Sequence, residues 1–216
     1  MQNTAVPTPE LRRIADGIYL HTSFDHDARG ALIASNGLVV VGLNAALLID
    51  TAWTAADTER LLGTVDRLTT GAPLGFYGSE AETDRLGGLD ALHARHLPSL
   101  AHETTVAAAL SRGLPVPATG WAGEALSFDV GGRQLEVFHP GAARTRGNTV
   151  VYIEDSGLLF GGAMVLPAAE AARDSAAPRR HALRSVIARF GRPRIVVPGR
   201  GAIGDGGLLA VNARAA

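Results

Sequence analysis

Three short segments gather the side chains with which this 216-residue chain could do chemistry. Glu80, Glu82 and Asp84 stand at alternate positions, followed by Arg85 and then Leu86-Gly87-Gly88. Alternate side chains of an extended segment point to one side, so these carboxylates would converge and would need a cation among them. Arg144 lies within Pro140-Gly141-Ala142-Ala143-Arg144-Thr145-Arg146-Gly147-Asn148, and Arg200 within Pro198-Gly199-Arg200-Gly201, each placed directly after an expected strand. Charge in glycine-rich loops is also the ordinary state of solvated surface, and that reading stands beside the chemical one.

Other chemistries lack their residues. All 20 basic residues are arginine, which removes a lysine Schiff base or a phosphate-loop lysine, and with no cysteine there is no thiolate ligand, thiol nucleophile or disulfide. No Gly-x-Ser-x-Gly marks a serine hydrolase, and no Gly-x-Gly-x-x-Gly joins a strand to a helix. Of the histidines, His93 and His96 share a helix face without a third ligand nearby, and His26 sits in Asp25-His26-Asp27 at an expected hairpin tip. His139, Asn148 and Trp53 are candidates to line a substrate pocket, His139 because it precedes Pro140 where a strand enters the arginine loop.

The elements that must position these loops alternate. Residues 18–22, 31–34, 38–41 and 46–49 read as strands, with Asn36-Gly37 and Leu43-Asn44 as turns. Thr54 can cap a helix over residues 55–68, in which Leu61, Leu62, Val65 and Leu68 recur at helical spacing. A strand over 74–77, a polar loop over 78–85, a helix over 88–96, a strand over 99–102 and a helix over 103–112 follow. A second β-rich block covers 125–130, 134–138, 149–153 and 158–160, and closes with a helix over 179–190, started by Pro178, and a strand over 194–197. Two β-rich halves that each end in helix imply an α/β (α+β) αββα sandwich, one domain over 1–216 with residues 1–13 flexible.

The composition, 46% hydrophobic and 19% charged, excludes intrinsic disorder, and the formal net charge of −1 gives no global field for nucleic acid or an anionic membrane. The apolar runs 37–42 and 45–49 fall far short of the roughly 20 residues that span a bilayer. Residues 1–13 are too polar for a secretory leader, so a soluble monomer is expected, cytoplasmic unless a leader has been removed, in which case periplasmic.

Ser35-Asn36-Gly37-Leu38-Val39-Val40, Leu48-Ile49-Asp50-Thr51-Ala52-Trp53-Thr54, Asp84-Arg85-Leu86-Gly87-Gly88-Leu89, Leu159-Phe160-Gly161-Gly162 and Val196-Val197-Pro198-Gly199 resemble, in order, the framework of the di-zinc metallo-β-lactamases. That resemblance implies two mixed sheets with helices on the outer faces and a metal site along one sandwich edge. It also implies ligand positions, and there the sequence departs. Where the family has His-x-His-x-Asp-Arg this chain has Glu80 and Glu82, then the matching Asp84 and Arg85. The remaining histidine, cysteine and histidine positions fall on Arg144, Ala163 and Arg200, and the position of the carboxylate-binding lysine falls on Leu166.

Arginine has no lone pair to offer a metal and stays protonated. Glu80, Glu82 and Asp84 are therefore expected to pair with Arg144 and Arg200 in a metal-free cluster, which points to a pseudoenzyme or engineered variant without efficient β-lactam hydrolysis. Zinc lowers the pKa of bound water from 15.7 to about 7, an upper bound of roughly 12 kcal/mol of nucleophile activation, and a general base supplies only about 10²- to 10⁴-fold. No cofactor is expected on this reading. The alternative is a hydrolase holding one divalent cation (Mg²⁺, Mn²⁺, Ca²⁺ or weakly Zn²⁺) on Glu80, Glu82 and Asp84, with Arg144 and Arg200 gripping an anionic ester or β-lactam. A small anionic molecule is the partner either arrangement suits.

Overall fold

The computed structural model describes residues 5–174 and 176–214. Among the described residues twelve strands form two mixed sheets. The first runs in chain order, β1 (Glu10–Ala15), β2 (Ile18–His26), β3 (Leu32–Val41), β4 (Ala46–Ile49), β5 (Leu74–Gly78), β6 (Ser99–His102) and β7 (Thr119–Trp121), antiparallel as far as β4 and parallel beyond it. The second, with strands β8 (Ala125–Val130), β9 (Arg133–Phe138), β10 (Val150–Ile153), β11 (Leu158–Gly162) and β12 (Ile195–Pro198), is ordered β12-β11-β10-β9-β8, and only β11 and β12 run parallel.

Period-two alternation builds the layers. Leu38 and Val40 point between the sheets, where they meet Ile18, Ile49, Val137, Val151 and Phe160. Val39 and Leu48 point the other way, onto Leu61, Leu62 and Val65 of α1 (Ala55–Thr69) and Leu89 and Leu92 of α3 (Leu89–Ala94). Outside the second sheet, Phe138, Val150 and Val196 pack on Leu183 and Val186 of α6 (Ala177–Phe190) and Leu209 of α7 (Gly206–Ala213). The result is the αββα sandwich. Thr54 caps α1 as its sequence suggests, its side chain accepting from the Asp57 N–H.

Four expectations need correction. Asn36-Gly37 is no turn: β3 runs unbroken through it and pairs Gly37 with His21. A Cβ at Gly37 would fall 2.1 Å from the His21 Nε2, so the glycine serves a close approach within a strand. Glu10–Arg13 are not flexible but belong to β1; residues 1–4 of the expected tail lie outside the described residues. The segment 78–85 is not wholly loop, because α2 (Thr83–Leu86) begins within it. The extended alternation expected of Glu80, Glu82 and Asp84 therefore ends at Glu82, the extended residue just before that turn, whose side chain makes no cap hydrogen bond. Also present are β7, the short α5 (Ala168–Ala171) and α7, whose Gly206-Gly207 start is held by the Asp205 side chain accepting from the Gly207 N–H. The helix α4 (Glu103–Arg112) lies where its sequence places it. Among the described residues no helix is long and apolar enough to cross a membrane.

Candidate active-site pocket

The segments that follow β5, β9, β11 and β12 come together at one edge of the sandwich. The Thr149 N–H donates to the Ser79 carbonyl, and the Gly199 N–H donates to the Gly162 carbonyl at 2.7 Å. The first sheet joins this seam through Asn36, whose backbone N–H bonds the Gly199 carbonyl and whose side-chain amide bonds the carbonyls of Pro198 and Gly201.

Arg85 is the centre of the arrangement. Its side chain is 1% exposed, Nη1 donates to the Asn36 carbonyl at 2.7 Å and to Ser35 Oγ at 3.0 Å, and Nη2 donates to the Gly199 carbonyl at 3.1 Å. Asp50 and Asp84 flank it, with carboxylate oxygens 3.5 and 3.4 Å from the guanidinium. A Cβ on Gly199 would lie 2.2 Å from Nη2, so the glycine is what lets the arginine reach the carbonyl. Asp50, which sequence reasoning did not single out as a site residue, is fully buried and accepts from the Ser79 N–H at 2.8 Å and from Ser79 Oγ at 2.7 Å. Burial pushes its pKa up to about 7 against the opposing pull of Arg85 and Ser79. The clue in the sequence was a lone aspartate ending an apolar strand, at Leu48-Ile49-Asp50.

The three acidic side chains separate. Asp84 takes Arg200, with Nη2 at 2.9 Å and Nε at 3.3 Å, and accepts from Ser35 Oγ at 3.1 Å. Burial raises its pKa, but Arg85 and Arg200 outweigh that and hold the carboxyl below its usual value. Glu82 does not pair with Arg144 or Arg200, as expected above; Arg112 of α4 reaches it in a bidentate pair at 2.9 and 2.8 Å. The short helix α2 turns Glu82 and Asp84 toward different neighbours, which explains the change of partner. Glu80 does not join either arginine in an ion pair: it is 1% exposed, and neither carboxylate oxygen has a hydrogen-bond partner among the described residues. Burial raises its pKa, with Arg85 and Arg144 pulling the other way.

A cavity of about 70 Å³ remains, lined by the charged residues Glu82, Asp84, Arg85, Arg144, Glu170 and Arg200 and by the apolar Ala163, Val165, Leu166 and Pro167. Trp53 stands at this edge, the Arg200 guanidinium lying 5.5 Å from the centre of its ring. Trp53, Asn148 and His139 are not in the lining. Asn148 is buried and braces the arginine loop, its Oδ1 accepting from the Thr145 N–H and its carbonyl from His139 Nδ1 at 2.9 Å. His139 stacks on His102 with ring centres 4.2 Å apart, and His102 meets the Trp121 ring edge-on.

No family model matches the chain. A metallo-β-lactamase type 2 from Pseudomonas aeruginosa is 30% identical over 211 residues, covering 95% of this chain and 83% of that protein. The chain belongs to the metallo-β-lactamase family. Its similarity extends to a metallo-β-lactamase type 2 from Bacteroides fragilis, 29% identical over 92% of this chain and 82% of the relative. Among solved structures, a metallo-β-lactamase from Pontibacter korlensis superposes with a TM-score of 0.86 at 30% identity, covering 95% of this chain and 97% of that one. A family member from Pseudomonas aeruginosa, solved in a mono-zinc form, superposes with a TM-score of 0.84 at 25% identity, over 96% of this chain and 94% of that one.

The residues at this edge do not fit a zinc ion of that kind. Zinc takes imidazole, thiolate or free carboxylate. Here Asp84 is engaged by two guanidinium groups, Glu82 by a third, and Ala163 and the arginines offer no lone pair. Among the described residues no group of three or more His, Asp or Glu side chains is placed to hold a metal ion, and Glu80, Glu82 and Asp84 do not form one.

Proposed function

We propose that this member of the metallo-β-lactamase family has a degenerate active site, in which arginine–carboxylate pairing replaces metal coordination, and that it lacks efficient β-lactam hydrolysis. One observation carries the reading: the Asp84 carboxylate accepts both Nε and Nη2 of Arg200 while lying 3.4 Å from the guanidinium of Arg85. Both guanidinium groups meet the same oxygen, Oδ2, and together they neutralise the carboxylate and repel a further cation. Without a metal, the pocket retains no group that would make hydroxide from water at neutral pH. Glu80 cannot substitute as a base of useful reach, since it lies buried and outside the cavity lining. The protein is then a scaffold or binding protein built on a hydrolase fold.

The experiment is elemental analysis of protein purified without chelator, together with penicillin and carbapenem turnover before and after chelation. The reading expects less than a tenth of an equivalent of zinc and no chelator-sensitive turnover. Stoichiometric zinc, or efficient turnover that a chelator abolishes, sinks it. A magnesium, manganese or calcium shift of the melting temperature that Asp84→Ala abolishes would instead support the carboxylate-site hydrolase.

A further inference from the structure

We propose that the stacked imidazoles of His102 and His139 form an acid-sensitive clasp, which holds the arginine loop of residues 140–148 against α4 at neutral pH and loosens it when His102 takes a proton. The device is separate from the metal-free reading and does not depend on it. The two rings lie 4.2 Å apart with planes 28° from parallel, His102 at the end of β6 and His139 where β9 leads into the loop.

Hydrogen-bond partners assign the protons. His102 Nε2 lies 3.2 Å from the Gly123 carbonyl, which can only accept, so Nε2 carries the hydrogen. Nδ1 is left to accept from the Thr104 N–H, and His102 is in this way the N-cap of α4. The ring is therefore neutral as it stands. His139 Nδ1 donates to the Asn148 carbonyl at 2.9 Å, so a proton on its Nε2 breaks no hydrogen bond among the described residues.

His102 has no such freedom. A proton on Nδ1 displaces the Thr104 N–H, which cannot accept as the Thr104 hydroxyl 2.7 Å away can. It also sets positive charge at the N-terminus of α4, where the helix dipole opposes it, and against the face of His139. Glu103, exposed in the first turn, is the carboxylate that favours this charge. Burial and His139 outweigh Glu103 and the Gly123 bond, and hold the His102 pKa below its ordinary value. The other charged groups on the adjoining segments, Glu124, Arg144 and Arg146, are exposed to solvent.

The turn disturbed by that proton is the one that holds the loop. Thr105 Oγ1 donates to the Gly147 carbonyl at 2.8 Å, and Thr104 Oγ1 lies 3.3 Å from the Arg146 carbonyl. On the other side, His139 closes the neck of the loop onto Asn148. Arg144, which borders the cavity, is carried by this loop. One proton thus acts on both attachments of the segment that brings Arg144 to the pocket.

The test is amide hydrogen exchange of the full chain at pH 7.5 and 5.5, corrected for intrinsic rates, together with ring-nitrogen NMR. At pH 7.5 the spectra should show His102 protonated on Nε2 and His139 on Nδ1. At pH 5.5 the amides of Thr104, Ala143 and Thr145, which are hydrogen-bonded to His102, Thr145 and Asn148, should lose about fivefold in protection, beyond any change in β3. His102→Asn, whose side-chain oxygen caps a helix at either pH, should keep the fold and abolish that acid response. Equal loop protection at the two pH values, an acid response that survives in His102→Asn, or His102 found with its proton on Nδ1 would each overturn the proposal.

Discussion

Arg112 and Glu82 form a fork-to-fork pair, Nη1 to Oε1 at 2.9 Å and Nη2 to Oε2 at 2.8 Å, although Arg112 ends α4 and Glu82 stands 30 positions earlier, just before α2. Arg112 also donates to the Ala81 carbonyl, so one side chain holds both the backbone and the carboxylate at the entrance to α2. The pair draws Glu82 away from Asp84, which α2 turns toward Arg200.

Because this pair is part-exposed, Arg112→Ala should cost no more than about 1 kcal/mol, and the loss should shrink as salt is raised. Thermal unfolding of the two proteins in low and high salt would check this; a salt-independent loss of several kcal/mol would contradict a surface pair.

Arg85 is the opposite case. Arg85→Met would leave Asp50 and Asp84 buried without their shared cation, and breaking such a pair costs about 3–5 kcal/mol. Urea unfolding should show the midpoint falling with an unchanged slope if the loss is confined to the folded state.

Two buried groups oppose each other in acid. Burial lowers His21 to about 4, so between that value and its ordinary 6.5 the unfolded chain binds a proton that the folded one refuses, and stability rises with pH. Burial raises Asp50 from 3.8 to about 7, so over that interval the folded chain holds the extra proton, and stability is lost as pH rises through 7. Each is worth about 3–4 kcal/mol, and their sum should leave the parent nearly flat between pH 4 and 6.5. Asp50→Asn should uncover the His21 rise and His21→Gln the Asp50 fall, both read from urea midpoints across pH. A steep parent profile in that window would show that the two do not cancel.

Gly37→Ala should destabilise the protein by about 1–3 kcal/mol through overpacking, since its methyl would press on His21 Nε2 and on the Ile49 carbonyl, 2.5 Å away. Denaturation of this variant, of His21→Ala and of the double variant closes a cycle in which the methyl should cost less without the ring, the part due to the Ile49 carbonyl remaining.

The layers were legible because they follow from local rules: the Leu38/Val39/Val40 alternation and the Thr54-capped stripe of Leu61, Leu62 and Val65 need no distant partner. Asn36-Gly37 misled because the dipeptide that favours a hairpin turn also supplies the bare backbone that the His21 ring requires. At the pocket, the Asp84–Arg200 pair followed from charge complementarity. Arg112 could not have been assigned to Glu82 from sequence, because the pairing depends on α4 packing beside the β5–α2 connection. Asp50 was hidden for a related reason. Its chemistry comes from burial and from Arg85, neither of which a single aspartate after an apolar strand announces.

Asn36 and Arg85 spend their donors on carbonyls of Pro198, Gly199 and Gly201, between 114 and 165 positions further along the chain. During synthesis, the whole first sheet is made before those acceptors exist, so Arg85 Nη2 and the Asn36 amide lack these partners while Nη1 already has Ser35 and the Asn36 carbonyl. The turn after β12 therefore works as a latch: without it the seam lacks the carbonyls that Asn36 and Arg85 Nη2 reach. Closure of the pocket waits, in this protein, on the segment from Pro198 to Gly201.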